Sequence, residues 1–109
     1  MRGSFETEKR LIGKIMSNPK DYYDNHSLIT EGIFLDPLNK KIYKAISYKL
    51  DKGENPDMID ITASIKDNLC DIRLAECMAS DYYAYLTKNM ILFLAQEDKK
   101  IRLKKLAEH

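Results

Sequence analysis

Apolar residues recur at helical spacing along nearly the whole chain, and no stretch shows the sustained two-residue alternation of a half-buried strand. The fold class that follows is all-α. With 109 residues, 44% of them apolar, the chain can build one core. Its three prolines and four glycines are too few for a linker-dominated sequence. The architecture expected is a compact bundle of about six helices with a long C-terminal helix. Residues 5–109 form the helical head, and residues 1–4 read as a leader or disordered start.

Ser4 is a plausible N-cap for a first helix whose apolar face is Leu11, Ile12, Ile15 and Met16, ending before Pro19. Gly13 lies inside that helix, where glycine is about 1 kcal/mol worse than alanine. Such a residue points to close approach by another element. After Pro19, Tyr22, Tyr23, His26, Leu28 and Ile29 suggest a second, short helix. A third opens with Asp36 as cap and Pro37 at the first helical position, buries Leu38, Ile42, Ala45, Ile46 and Leu50, and closes at Gly53. Asp60 is the expected cap of a fourth helix with Ile61 and Ile65, and a fifth carries Leu69, Ile72, Ala75 and Met78.

From about Asp81 the helical pattern runs to the end without a breaker. At about 100° per residue, Tyr82, Tyr83, Leu86, Met90, Phe93, Leu94 and Ile101 share one sector, the face expected to seal the head. Tyr85, Leu92, Leu103 and Leu106 fall roughly opposite. A helix docked once needs one stripe, so a second stripe suggests contact with another chain. Scattered exposed leucines are also ordinary, and Gln96 and Lys99 dilute this stripe. These four residues are the candidate partner interface.

Sites of catalysis, cofactor or metal binding are not expected. Gly13-Lys14 lacks the rest of a phosphate-binding loop, and two cysteines with two distant histidines do not make a zinc site. His26 is the one histidine away from the terminus, and no spacing singles out a pair among the many carboxylates. Cys70 and Cys77, seven apart on one helical face, sit about 10 Å apart along the axis, too far for a disulfide. Buried free thiols suit a reducing cytoplasm. With no apolar run near the ~20 residues of a membrane span, the protein is read as soluble and cytoplasmic.

Eighteen basic and seventeen acidic residues leave a net charge of +1, which removes a whole-domain electrostatic case for nucleic-acid binding. Two local clusters remain: Lys40, Lys41, Lys44 and Lys49 beside Tyr43 and Tyr48, and Lys99, Lys100, Arg102, Lys104 and Lys105 near the end. Both suit the solvated side of amphipathic helices, and cations near a helix C-terminus suit its dipole. Contact with phosphates, with tyrosines for stacking, is the other reading.

Taken in order, the segments resemble the N-terminal domain of the DnaB-type replicative hexameric helicases. Glu6-Thr7-Glu8-Lys9-Arg10-Leu11-Ile12-Gly13-Lys14-Ile15-Met16 is similar to that family's opening of acidic pair, aliphatic pair, glycine and aliphatic pair. Phe34, Ile42-Tyr43, Ala45-Ile46, Leu50, Gly53, Pro56-Asp57, Met58-Ile59-Asp60-Ile61 and Leu74-Ala75-Glu76 continue the likeness. It covers roughly residues 5 to 106. Asp60 stands where the family usually has threonine, Asn39 replaces a common histidine, and the turn at Lys66-Asp67-Asn68-Leu69 is shortened.

The resemblance implies a head without ATPase activity that associates with copies of itself in a ring collar and helps recruit primase and helicase loader. It also implies a helical hairpin beginning near residue 106 and a motor beyond it, with DNA met only through the full helicase. An adaptor of the same fold, similar to the helicase-binding region of primase, and a small nucleic-acid-binding domain are the alternatives.

Overall fold

The computed structural model describes residues 2–107, which form six α-helices and three short 3₁₀ turns, with no strand among the described residues. The helices are α1 (Arg2–Ser17), α2 (Pro19–Asn25), α3 (Pro37–Asp51), α4 (Met58–Ser64), α5 (Cys70–Ala79) and α6 (Thr87–Ala107), and the turns are His26–Leu28, Glu31–Ile33 and Tyr82–Ala84. The all-α bundle with a long last helix is what periodicity predicts.

Helix α1 is the centre. Leu11, Ile12 and Ile15 are wholly buried, and α2, α3, α5 and α6 all pack on it. Gly13 sits where α1 meets α5: a Cβ there would overlap the backbone oxygen of Cys77 and lie 2.9 Å from Tyr82 Cδ2. The close approach expected of that glycine is real. Helix α3 also forms as its sequence dictates. The Asp36 carboxylate accepts from the Asn39 amide at 2.9 Å, Pro37 occupies the first turn, and Gly53 follows with φ of 75°. Phe34, fully buried, stacks on Tyr43 with ring centroids 4.6 Å apart.

Several local expectations are corrected. Ser4 is no cap: α1 starts at Arg2, and Ser4 lies buried within its first turns. The second helix stops at Asn25, and Leu28 and Ile29 follow in a 3₁₀ turn and an extended residue. Helix α4 is capped by Asp57, whose side chain accepts from Ile59 N at 2.7 Å, and Asp60 belongs to the first turn. Helix α5 is turned relative to the expected stripe. It buries Cys70, Leu74 and Cys77, while Leu69, Ile72 and Ala75 face outward.

The last segment is not one helix. Tyr85 is extended, and α6 begins at Thr87. Residues 81–86 are held on α1: Arg10 pairs with Asp81 at 2.6 Å, Ser17 Oγ meets Tyr82 OH at 2.9 Å, and Lys14 donates to the Tyr85 carbonyl. Those tertiary contacts override the helical pattern there. The sealing face of α6 is Thr87, Met90, Ile91 and Leu94, with Ile101 half-buried. Tyr83 and Leu86, expected on it, are exposed, and Phe93 lies at its edge.

Candidate interaction surface

A buried polar hub fixes α1, α3 and α5 against one another. The Glu8 carboxylate, 1% exposed, accepts from Leu35 N at 2.9 Å, Asn39 Nδ2 at 3.0 Å and Asp36 N at 3.4 Å. Asn39, also fully buried, passes the connection on: its Oδ1 accepts from Arg73 Nη1 at 2.8 Å. The same Arg73 nitrogen donates to Asp36 Oδ2 at 2.6 Å, and its guanidinium lies 4.8 Å from the Phe5 ring centroid. Burial raises the Glu8 pKa above its ordinary value, and the three donors oppose that rise. Among the described residues no buried side-chain nitrogen or oxygen lacks a hydrogen-bond partner, so the hub sets register. Periodicity did not reveal it, because Glu8 reads as one more surface carboxylate.

The four candidate interface residues occupy two places. Tyr85 precedes α6, and the guanidinium of Arg10 stacks over its ring at 4.7 Å, so it belongs to the clasp on α1. Leu92, Leu103 and Leu106 stand on α6 and are all exposed, 72% in the case of Leu106. Helix α6 packs on α1 and on the 31–33 turn, where Arg102 and Asp98 pair beside Gly32. Past Ile101 every described residue of α6 is exposed. The end of the helix thus carries Leu103 and Leu106 into solvent among cations.

The other lysine cluster lines an open groove of about 890 Å³ between α3 and α4, with Lys41, Lys44, Lys49 and Lys66 around Tyr48, Ala45, Ala63 and Ile65. Lys49 is paired there with Glu54 and Asp60. A second, shallower groove of about 480 Å³ lies between α4 and α5, lined by Met58, Ile59, Thr62, Ala63 and Asp71. Met58 and Ile59 of this groove are exposed, as are Leu69 and Ile72, which the expected α5 stripe had assigned to the core.

Among the described residues no group of histidine, cysteine and carboxylate side chains could hold a metal ion. Both cysteines are free and buried. Burial raises both thiol pKa values, that of Cys77 to about 12. No helix among the described residues is long and apolar enough to cross a membrane.

No curated protein and no solved structure matches the chain. The family model of the DnaB-like helicase N-terminal domain matches residues 1–98, which takes in α1 to α5 and the docked half of α6. The chain belongs to the DnaB-like helicase N-terminal domain family.

Proposed function

We propose that this chain is a non-catalytic assembly and recruitment domain of a replicative DNA helicase, working in the cytoplasm. It associates with copies of itself in the ring collar, and it offers its surface to primase or to a helicase loader. Family membership supports the helicase setting. The observation that carries the assembly role is the outer face of α6, where Leu92, Leu103 and Leu106 stand exposed on a helix already docked by its other side. A partner that covers these side chains removes apolar area from water at about 25 cal/mol per Å².

Sedimentation velocity over a concentration series tests the reading. Wild type should exceed monomer mass as concentration rises. Leu103→Asp should return it to monomer with unchanged helical circular dichroism. A wild type that stays monomeric throughout would remove self-association, and failure to retain either primase or loader in a pull-down would remove recruitment.

The lysine-lined groove between α3 and α4 favours a second reading, single-stranded nucleic acid held by Lys41, Lys44 and Lys66 with Tyr48 for stacking. It requires a salt-sensitive affinity for single-stranded DNA. Fluorescence anisotropy at low salt that shows no binding would dismiss it.

A further inference from the structure

The near-zero net charge of this chain conceals a separation of charge. Residues 54–72 carry Glu54, Asp57, Asp60, Asp67 and Asp71 against one cation of their own, Lys66, while Lys49 of α3 engages Glu54 and Asp60. Residues 99–107 carry Lys99, Lys100, Arg102, Lys104 and Lys105 and no carboxylate. Each charged segment frames exposed apolar side chains. The first holds Met58 and Ile59 on α4 and Leu69 and Ile72 at the start of α5, with Ile59 78% exposed. The second holds Leu103 and Leu106.

We propose that the basic end of α6 in one copy docks on the acid-rimmed apolar patch of α4 and α5 in a second copy. This rests on the self-association reading above and names the surface that receives the helix end. Charge complementarity selects the occupant. Lys99, Lys104 and Lys105 have no ion-pair partner among the described residues, whereas Lys100 and Arg102 are engaged by Glu97 and Asp98 on their own helix. The opposing carboxylates of Asp57, Asp67 and Asp71 are used only for bonds to nearby backbone amides, which leaves their charge in place. Leu103 and Leu106 are one turn apart and of a size to enter the groove beside Met58 and Ile59.

The contact forms between copies. Within one chain α6 is a single helix fixed along α1 and the 31–33 turn, and Ile59 remains uncovered with that helix in place. Helix end and patch are different surfaces, and the proposed arrangement joins them head to tail, so the contact is heterologous. Each copy that gives a helix end keeps a patch for the next, and association continues beyond a dimer until it closes. An α6-to-α6 contact through the leucine stripe would instead be self-complementary and stop at two.

The test is a charge swap in the full 109-residue chain. One variant reverses the helix end (Lys99→Glu, Lys104→Glu, Lys105→Glu), and the other reverses the patch rim (Asp57→Lys, Asp67→Lys, Asp71→Lys). Wild type should form species larger than dimer, fewer of them as salt rises. Each variant alone should sediment as monomer with unchanged circular dichroism. Their equimolar mixture should associate again, because each helix end then meets an opposite rim. Leu92→Asp, which lies outside the docking segment, should leave association intact on this proposal. A patch variant that associates like wild type, or a mixture that stays monomeric, overturns the proposal. Loss of association with Leu92→Asp but not with the patch variant overturns it while self-association through the stripe stands. Wild type that never leaves monomer mass overturns both. Should the triple patch variant melt early, the single exposed change Ile59→Lys takes its place, with loss of the larger species expected.

Discussion

Gly13 and Cys77 meet backbone to backbone, with no room for a Cβ on the glycine beneath the cysteine's carbonyl oxygen. The contact joins α1 to α5, and Tyr82 closes it from the third side. Gly13→Ala sets two effects against each other. Alanine gains about 1 kcal/mol of helix propensity, while overpacking against fixed backbone costs typically 1–3 kcal/mol and sometimes more. Backbone atoms cannot swing aside as a flexible side chain would, so the overlap wins. Urea denaturation should show Gly13→Ala less stable by up to about 2 kcal/mol, the overpacking cost less the propensity gain. An equally stable or stabilised variant would refute the close approach.

That glycine was legible in the sequence because a poor helix former inside a strongly periodic helix carries information. The third helix was legible for the same kind of reason: Asp36, Pro37 and Gly53 are local signals, and local chemistry decides caps. What escaped depended on partners distant in sequence. The face of α5 was misread because Cys70, Leu74 and Cys77 are a weaker apolar signal than Leu69 and Ile72, and only the approach of α1 decides between them. The break at Tyr85 needs Arg10, Lys14 and Ser17 to hold residues 81–86 in place. Of the surface, the leucines of α6 could be read in advance, but the α4–α5 patch could not until the turn of α5 was known.

Both cysteines are wholly buried on the inner face of α5, and their raised pKa values leave little thiolate at pH 8. Alkylation by iodoacetamide under native conditions should therefore be slow at both positions and become fast in denaturant. Rapid labelling of the folded protein, followed by mass spectrometry, would contradict the burial. The sign for stability follows from the same shift: a thiol whose folded pKa is raised favours the fold below its unfolded value near 9, and that contribution fades as pH climbs towards about 12.

Glu8 makes a second pH dependence, at the acidic end. Its folded pKa lies above the ordinary 4.5 because burial outweighs its three donors. The folded state therefore holds this proton more tightly than the unfolded one. The resulting stabilisation is complete below pH 4.5 and is lost as pH rises through the folded value. Glu8→Gln cannot ionise, so its thermal midpoint should lack this decline. The difference between wild type and Glu8→Gln, followed from about pH 4 to 7, should shift against wild type as pH rises. A difference that moves the other way would mean that the hydrogen bonds outweigh burial.

Asn39 is the member of the hub whose chemistry admits least change. It gives a proton to Glu8 at 3.0 Å and accepts one from Arg73 at 2.8 Å, so it stands between a buried anion and a cation with one polar end for each. Asn39→Asp keeps the shape and reverses half of that. The end facing Arg73 improves, since a carboxylate is a stronger acceptor for a guanidinium. The end facing Glu8 becomes a second carboxylate at hydrogen-bond distance, and two buried carboxylates that close cannot both stay ionised. Arg73 is already engaged by Asp36, which limits what it can offer a new anion. The repulsive end should therefore prevail, with about 2 kcal/mol or more lost at pH 7, in the range measured when a buried polar group loses its partner. The loss should shrink towards pH 5, where the pair can share a proton and restore the missing donor. Chemical denaturation of Asn39→Asp at the two pH values decides the matter: a loss that does not depend on pH would mean that Glu8 and residue 39 are not electrostatically coupled.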